Sequence, residues 1–279
     1  MRQKLLARIV VVVGLVAASL SGTTNGVTAP GLVAAYSFDE GAGNSVLDAS
    51  GSGLTGVVNG ATWSPQGKFG NALSFNGTNA RVDITDAAPL HLTNGMTLET
   101  WVKPAALANW REVILKERPN GLSYALYASD PSSKPNTYVS LGGADRDATA
   151  TTALPLNSWS HLAATYDGAT LRLIVNGTQV ASQAVTGNLT ASTGALRIGG
   201  NSLWGEWFSG LIDEVRIYNR ALTAAEVTTD MNAAVGAGVP GRNLVAHHRD
   251  LDDHGLNDRA EALPRDRPVA ARCEGSGGR

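Results

Sequence analysis

Cysteine is almost missing from this 279-residue chain, which has one. That excludes an intramolecular disulfide framework and any zinc site built from several thiolates. Charge is also sparse, at 16% of residues. With 22 Lys and Arg against 24 Asp and Glu, no basic excess exists for nucleic acid or an anionic membrane surface to engage. Long amphipathic helical patterns are lacking through most of the chain. Glycine, by contrast, is abundant at 32 residues, and 43% of residues are apolar with aromatics dispersed among them. This composition suits many turns and short strands, and it excludes a wholly disordered chain.

The chain divides into three textures. Arg2, Lys4 and Arg8 precede an apolar run from Ile9 to Ala18, followed by small residues through Ser21 to Ala29. That order reads as an export signal over 1–29, since the run is shorter than the roughly 20 residues of a membrane span. Residues 31–235 form one domain of alternating segments such as ALSF (72–75), TLETWV (97–102), YALY (124–127), LRLIV (171–175) and LIDEVRIY (211–218). The third stretch, 236–279, has seven Arg, seven acids and no aromatic residue. Its apolar content is too thin to offset the entropy of ordering, so disorder is expected there. It also reads like a GC-rich gene translated out of frame, with Ser/Thr-rich linker and further modules expected in the other frame.

Alternation over four to eight residues marks half-buried strands. Asn176-Gly177 between two such runs favours the positive φ angles of a type I′ hairpin, and Asp167-Gly168 gives a similar turn signal. Many short strands with no helices between them predict an all-β antiparallel sandwich. The one helix expected runs from Thr223 to Ala234, with Thr223 as N-cap and Glu226 three residues on as its capping-box partner. Phe38, Phe75, Leu173, Val175, Val215 and Ile217 fall on the core side of their strands. Trp101 and Trp159 are expected inside the sandwich as well.

The motifs AAYSFDEGAGNSVLDASGSGLTG (34–56), GKFGNALSFNGT (67–78), TLETWVKP (97–104), SWSHLAATYDGATLRLIVNGTQV (158–180) and FSGLIDEVRIYNRALTAAE (208–226) stand in order along the domain. This set resembles the laminin-G-like jellyroll domains of the concanavalin-A-like lectin/glucanase superfamily. The resemblance covers nearly all of 31–235. It implies two antiparallel sheets of about a dozen strands, packed face to face.

That superfamily includes retaining glucanases, so the resemblance makes glycoside hydrolysis a candidate activity. Glycoside hydrolysis needs two carboxyl groups about 5.5 Å apart for retention, or about 6.5–9.5 Å for inversion. The Glu-x-Asp-x-x-Glu strand signature of sandwich glucanases is missing. Asp213 and Glu214 are adjacent, and adjacent strand residues point to opposite faces, so a structural ion pair with Arg216 or Arg220 is expected instead. No Gly-x-Ser-x-Gly nucleophile elbow occurs either. His161 is expected to be a satisfied structural histidine. The chain is therefore expected to be noncatalytic.

Calcium takes six to eight oxygens at about 2.3–2.6 Å. In jellyroll modules the first and last strands commonly lie side by side, which would bring Asp39 toward Asp213. Asp39, Asp213 and nearby carbonyls are accordingly the candidate calcium site. For ligand recognition, Trp110 and Trp204 sit in Gly/Ser-rich or loop-like surroundings. Arg111, Asn201 and Glu206 stand beside them with hydrogen-bonding groups. Stacking aromatics with a few polar partners is how proteins hold sugars. The loops at 104–111, 129–136, 142–152 and 200–207 are the longest, and are candidates for one rim or concave face, which the sequence does not choose between. Trp207 or Phe208 is the alternative, as a plug for the open end of the sandwich. The reading is a secreted or cell-surface binding module for a glycan or an extracellular protein, with no nucleic acid and no membrane span after signal removal. A structural spacer, or an accessory fragment of a glycoside hydrolase, is the alternative.

Overall fold

The computed structural model describes residues 29–236. All but one residue each of the expected signal and tail lie outside them. In chain order the first strands are β1 (Leu32–Tyr36), β2 (Ser45–Val46), β3 (Gly56–Asn59), β4 (Thr62–Ser64), β5 (Ala72–Asn76) and β6 (Arg81–Ile84). Then come β7 (Met96–Pro104), β8 (Arg111–Arg118), β9 (Gly121–Ser129), β10 (Asn136–Leu141), β11 (Ala144–Thr149) and β12 (Ser160–Tyr166). The last are β13 (Thr170–Val175), β14 (Thr178–Ala184), β15 (Leu196–Ile198), β16 (Gly200–Asn201), β17 (Glu206–Trp207) and β18 (Ser209–Tyr218). One α-helix, α1 (Ala224–Met231), follows.

Two eight-stranded antiparallel sheets carry sixteen of these strands, consistent with a jellyroll sandwich. Sheet one has the order β14-β13-β12-β7-β18-β5-β4, with β1 also pairing β18. Sheet two has the order β11-β10-β9-β8-β15-β6-β3-β2, and β16 with β17 forms a separate ribbon. The strand count exceeds a dozen because several rim pairings span only two or three residues. Among the described residues no helix is long and apolar enough to cross a membrane.

Alternation in sequence becomes layering in space. Phe38, Phe75, Leu173, Val215 and Ile217 are buried between the sheets with Tyr124, Leu126 and Tyr166, and Val175 packs against them half-buried. Each such aliphatic or aromatic side chain contributes about 1.5–3 kcal/mol by leaving water. The β13–β14 hairpin turns on Asn176 and Gly177, at φ 51 and 77, as a type I′ turn requires. The Asp167 turn works differently: Gly168 alone takes a positive φ of 87. There the Asp167 carboxylate accepts from the Ala169 and Thr170 amides, at 3.0 and 2.8 Å.

Helix α1 starts at a complete capping box between Thr223 and Glu226. It ends at Met231, three residues short of the expected Ala234, and Asn232 is its C-cap. The helix covers the outer face of sheet one through Val227, packed with Ala163, Ile174, Tyr218 and Leu222.

Three sequence expectations change here. Trp101 is buried, but outside the sandwich: its ring meets His161 at 5.3 Å and carries Lys68 Nζ at 4.0 Å. Its Nε1 donates to the Met231 carbonyl at 3.2 Å, so it pins the end of α1. Trp159 precedes β12 and is only half-buried. His161 is fully buried, yet among the described residues neither ring nitrogen has a hydrogen-bond partner. Burial, ahead of the nearby Arg216 charge, holds its pKa down to about 3, so it is neutral.

Candidate functional site

The outer face of sheet two is where aromatic side chains gather without a covering helix. On β8 and β9, Leu115, Leu122, Ala125 and Tyr127 form a buried apolar floor, and Trp110 and Tyr138 pack against it. Pairing register explains the gathering. Tyr127 stands opposite Glu112 on β8 and Asn136 on β10, while Tyr138 stands between Ala125 on β9 and Asp147 on β11. The period of two therefore sends Tyr124 inward and Tyr127 outward from the same strand. Trp110 meets Tyr127 at 5.2 Å and Tyr138 at 6.0 Å, with Tyr127 and Tyr138 also 6.0 Å apart. Such tilted and edge-on contacts contribute about 0.5–1.5 kcal/mol each beyond burial, which fixes the wall before any ligand arrives.

Short-range chemistry places the loops around this wall. Asn109 takes a left-handed φ of 62, and its carbonyl is held by Ser129 Oγ at 2.8 Å, turning Trp110 onto the sheet face. Asp130 Oδ1 accepts from the Ser132 and Lys134 amides, at 2.8 and 3.1 Å, and closes the next loop. After β15 the chain leaves sheet two through Gly199, at φ 82, where a Cβ would sit 2.1 Å from the Phe75 ring. The β16–β17 ribbon then carries Trp204 at its turn, 46% exposed. The result is an open cleft of about 680 Å³ walled by Trp110, Tyr127, Tyr138 and Trp204, with Asp145 and Glu206 at its edges.

Behind the aromatic wall runs a polar chain. Tyr127 Oη donates to Glu206 Oε2 at 2.9 Å, and Asn201 Nδ2 donates to the same oxygen at 3.0 Å. Asn201 Nδ2 also reaches Glu112 Oε2 at 2.5 Å, and its Oδ1 accepts from the Trp204 amide at 2.8 Å. Glu112 is fully buried, and burial, opposed by the Asn201 hydrogen bond, pushes its carboxyl well above the usual range. Burial also raises Glu206, opposed by its hydrogen bonds from Asn201 and Tyr127.

Of the residues singled out in the sequence, the structure brings Trp110, Trp204 and Glu206 together on this cleft. Asn201 lies behind it, fully buried and committed to its neighbours. Arg111 is also behind, its guanidinium donating to the Trp207 carbonyl at 2.8 Å and so holding the ribbon. Tyr127, Tyr138 and Glu112 escaped the sequence reading. Their one signal was the strand period, which puts Tyr127 on the face opposite Tyr124. The expected loop at 142–152 is largely strand β11. Phe208 is a core residue edge-on to Phe75 at 6.2 Å, and Trp207 is half-buried.

Asp39 and Asp213 meet the same loop. Asp39 Oδ1 accepts from the Asn71 amide at 2.7 Å. Asp213 Oδ2 accepts from the Lys68 and Phe69 amides, at 2.7 and 3.0 Å. Strand β1 does lie beside β18, as expected. Asp213 Oδ1 is buried without a partner among the described residues, and burial lifts this carboxyl to about 7 despite the three amide hydrogen bonds. Among the described residues no three His, Cys, Asp or Glu side chains cluster as a metal site.

The pairing of Asp213 with Glu214 differs from the sequence expectation. A bulge opens between Asp213 and Arg216, and Glu214 takes a left-handed φ of 56. With Ile212 and Val215 both pointing into the core, the extra residue leaves Asp213 and Glu214 together on the outer face. Glu214 pairs with Arg216 at 3.2 Å, and burial raises its carboxyl to about 8. Both acids are fully buried, so this pair faces no cleft.

Residues 76–228, more than half of the chain, match the Laminin_G_3 family model of the Concanavalin A-like lectin/glucanases superfamily, and the chain belongs to that family. Domain 4 of AbnA, a GH43 extracellular arabinanase from Geobacillus stearothermophilus solved with arabinotriose, is similar at 26% identity and a TM-score of 0.62. The match covers 71% of this chain and 97% of that domain. The binding domain of Paraclostridial Mosquitocidal Protein 1 shares the fold at 16% identity and TM-score 0.58, over 71% of this chain and 51% of that one. Mouse (Mus musculus) pappalysin-1 is 38% identical over 78 residues, which is 26% of this chain and only 5% of that protein's length.

Proposed function

We propose that the protein is an extracellular, noncatalytic carbohydrate-binding module whose site is the aromatic cleft on sheet two. The observation that carries this reading is the cleft in which exposed Trp204 and half-buried Trp110 and Tyr138 stand around a buried floor that includes Tyr127. Indole and phenol faces stack on the apolar C–H surface of a sugar ring, and prearranged side chains lose little entropy in doing so. The similarity to an arabinanase domain solved with arabinotriose supports a glycan ligand. A noncatalytic role is supported by the acids nearest the cleft: Glu112 is sealed from solvent and Glu206 is engaged by Tyr127 and Asn201.

The test is a screen of neutral and charged polysaccharides against the full chain, native and Trp204→Ala. Trp204 is half out of the protein, so its removal is expected to cost binding at least about tenfold while shifting stability by under about 0.5 kcal/mol. Retained binding in the variant would move the site elsewhere. A folded protein that binds no glycan would favour the spacer reading.

Calcium is proposed for the Asp39–Asp213 pair. The fit rests on the orphaned, buried Asp213 Oδ1, which feels the Asp39 carboxylate and has no cationic partner within ion-pair distance among the described residues. The remaining oxygens would come from backbone carbonyls and water.

A further inference from the structure

The cleft carries charge of one sign. Among the residues lining it are Asp145 and Glu206, and no Lys, Arg or His. Register adds another carboxylate: Asp147 stands opposite Tyr138, two residues from Asp145 on β11 and therefore on the same face. Arg118 approaches Asp145 at 3.4 Å, but it also donates to the Leu122 carbonyl at 2.7 Å. Arg111, behind the wall, is directed to the Trp207 carbonyl. Tyr138 registers the resulting field: its phenol is pushed up to about 12, first by burial and then by Asp147, Asp130, Asp145 and Glu206.

The hydrogen bonds locate the charge. Glu206 Oε2 accepts from Tyr127 and Asn201, two bonds that favour the charged form and work against the burial that raises this carboxyl, whereas burial drives Glu112 further the other way. Among the described residues, Glu206 Oε1 takes part in none of these bonds. An anionic oxygen beside the faces of Trp and Tyr rings is the chemistry that holds an ammonium group, through a charge-assisted hydrogen bond and cation–π attraction.

We propose that the cleft selects a cationic glycan: an oligosaccharide of amino sugars with free amines, its ring on the exposed indole and an ammonium against Glu206. This rests on the carbohydrate-binding reading and narrows it. The same carboxylates disfavour uronic or sialic acids, whose like charge would be brought to within a few ångströms.

Titration calorimetry on the full chain tests the proposal at about pH 6, on the acid side of an amino-sugar amine, whose neighbouring oxygens bring it nearer the range of an α-amino group than of lysine. The ligands are a glucosamine tetramer, its fully N-acetylated counterpart and arabinotriose. The amine tetramer is expected to bind at least about tenfold tighter than the N-acetylated one, with the ratio shrinking as salt is added. Glu206→Gln is expected to cut that ratio about tenfold. If that variant unfolds, Asp145→Asn, at a half-exposed position, is expected to cut it several-fold. Equal or tighter binding of either neutral ligand, or a ratio untouched by the substitution that folds, overturns the cationic preference and leaves the carbohydrate site standing. A folded protein that binds none of the three overturns both.

Discussion

Replacing Glu99 with Gln is expected to stabilise this protein at alkaline pH. Glu99 lies on β7 beneath α1, fully buried, with both carboxyl oxygens lacking hydrogen-bond partners among the described residues. Burial, and then the neighbouring Asp230 carboxyl, raise its pKa well above the ordinary value, so the folded state holds a proton that the unfolded chain releases. For such a group the stabilising contribution is complete below the unfolded pKa near 4 and is lost as pH climbs toward the folded value. The loss is at most about 1.4 kcal/mol per pH unit. Between pH 7 and 9 that amounts to as much as about 2.7 kcal/mol. In a domain of this size it corresponds to roughly 5–11 °C in melting temperature. Asp213, raised to about 7, and Glu214, raised to about 8, slope the same way. His161, held near 3, works oppositely only below its unfolded pKa of about 6.5, so the window from pH 7 upward is free of it. Thermal unfolding followed by circular dichroism at steps from pH 7 to 9 checks this. The native melting temperature should fall with pH, and the Glu99→Gln curve should fall less. Parallel curves would show that Glu99 does not titrate there. A variant less stable at pH 9 would show an ionised Glu99 paired to Arg216, refuting the reasoning.

Other perturbations probe separate parts of the fold. Thr223→Ala removes the N-cap of α1 and is expected to cost about 1 kcal/mol, read as a 2–4 °C lower melting temperature. Gly199→Ala combines a left-handed φ with a Cβ against Phe75, so about 2–4 kcal/mol should be lost, and glycan binding with it, because the ribbon bearing Trp204 leaves at that point. Excess calcium should raise the melting temperature relative to chelator, by the mass action of an ion that binds only the folded state, and Asp213→Asn should abolish that difference. An identical melt in calcium and chelator would mean that the two aspartates serve the 67–71 loop alone.

The architecture was readable because it depends on period and turn chemistry, both local. Alternation placed Phe75, Leu173 and Ile217 correctly, Asn176-Gly177 gave its hairpin, and Thr223 with Glu226 marked the start of α1. What the sequence hid was the outer face of each sheet. A residue such as Trp101 alternates out of the core just as a surface residue does, and only the later arrival of α1 and the Lys68 loop buries it. Glu214 reversed expectation because one bulge resets the alternation, and bulges carry no strong sequence signal when the residue in the left-handed region is not glycine. In the cleft, Trp110 and Trp204 stood out because their loops are small and polar. Tyr127 and Tyr138 did not, since an aromatic in a strand reads as core until the neighbouring strands show which face is covered.

The two outer faces also explain why one site stays open. Sheet one offers Glu99, Asp213, Glu214 and Arg216 to the outside, and those groups are closed over by α1 and the segment after it. Arg216 donates to the Ala233 carbonyl at 2.6 Å, and Glu214 accepts from the Val235 amide. Sheet two offers Trp110 and Tyr138 over buried Tyr127; the Asp130 loop closes on its own backbone amides, and the Asn109 carbonyl is held by Ser129 Oγ at the end of β9. The floor of Leu115, Leu122 and Tyr127 is already closed, at most 4% exposed, so what the cleft presents to solvent is Trp204 with half-buried Trp110 and Tyr138. The internal hydrogen bonds of Asn201 and Glu206 hold the ribbon at the edge of that face, so its exposed aromatic is set for an external partner.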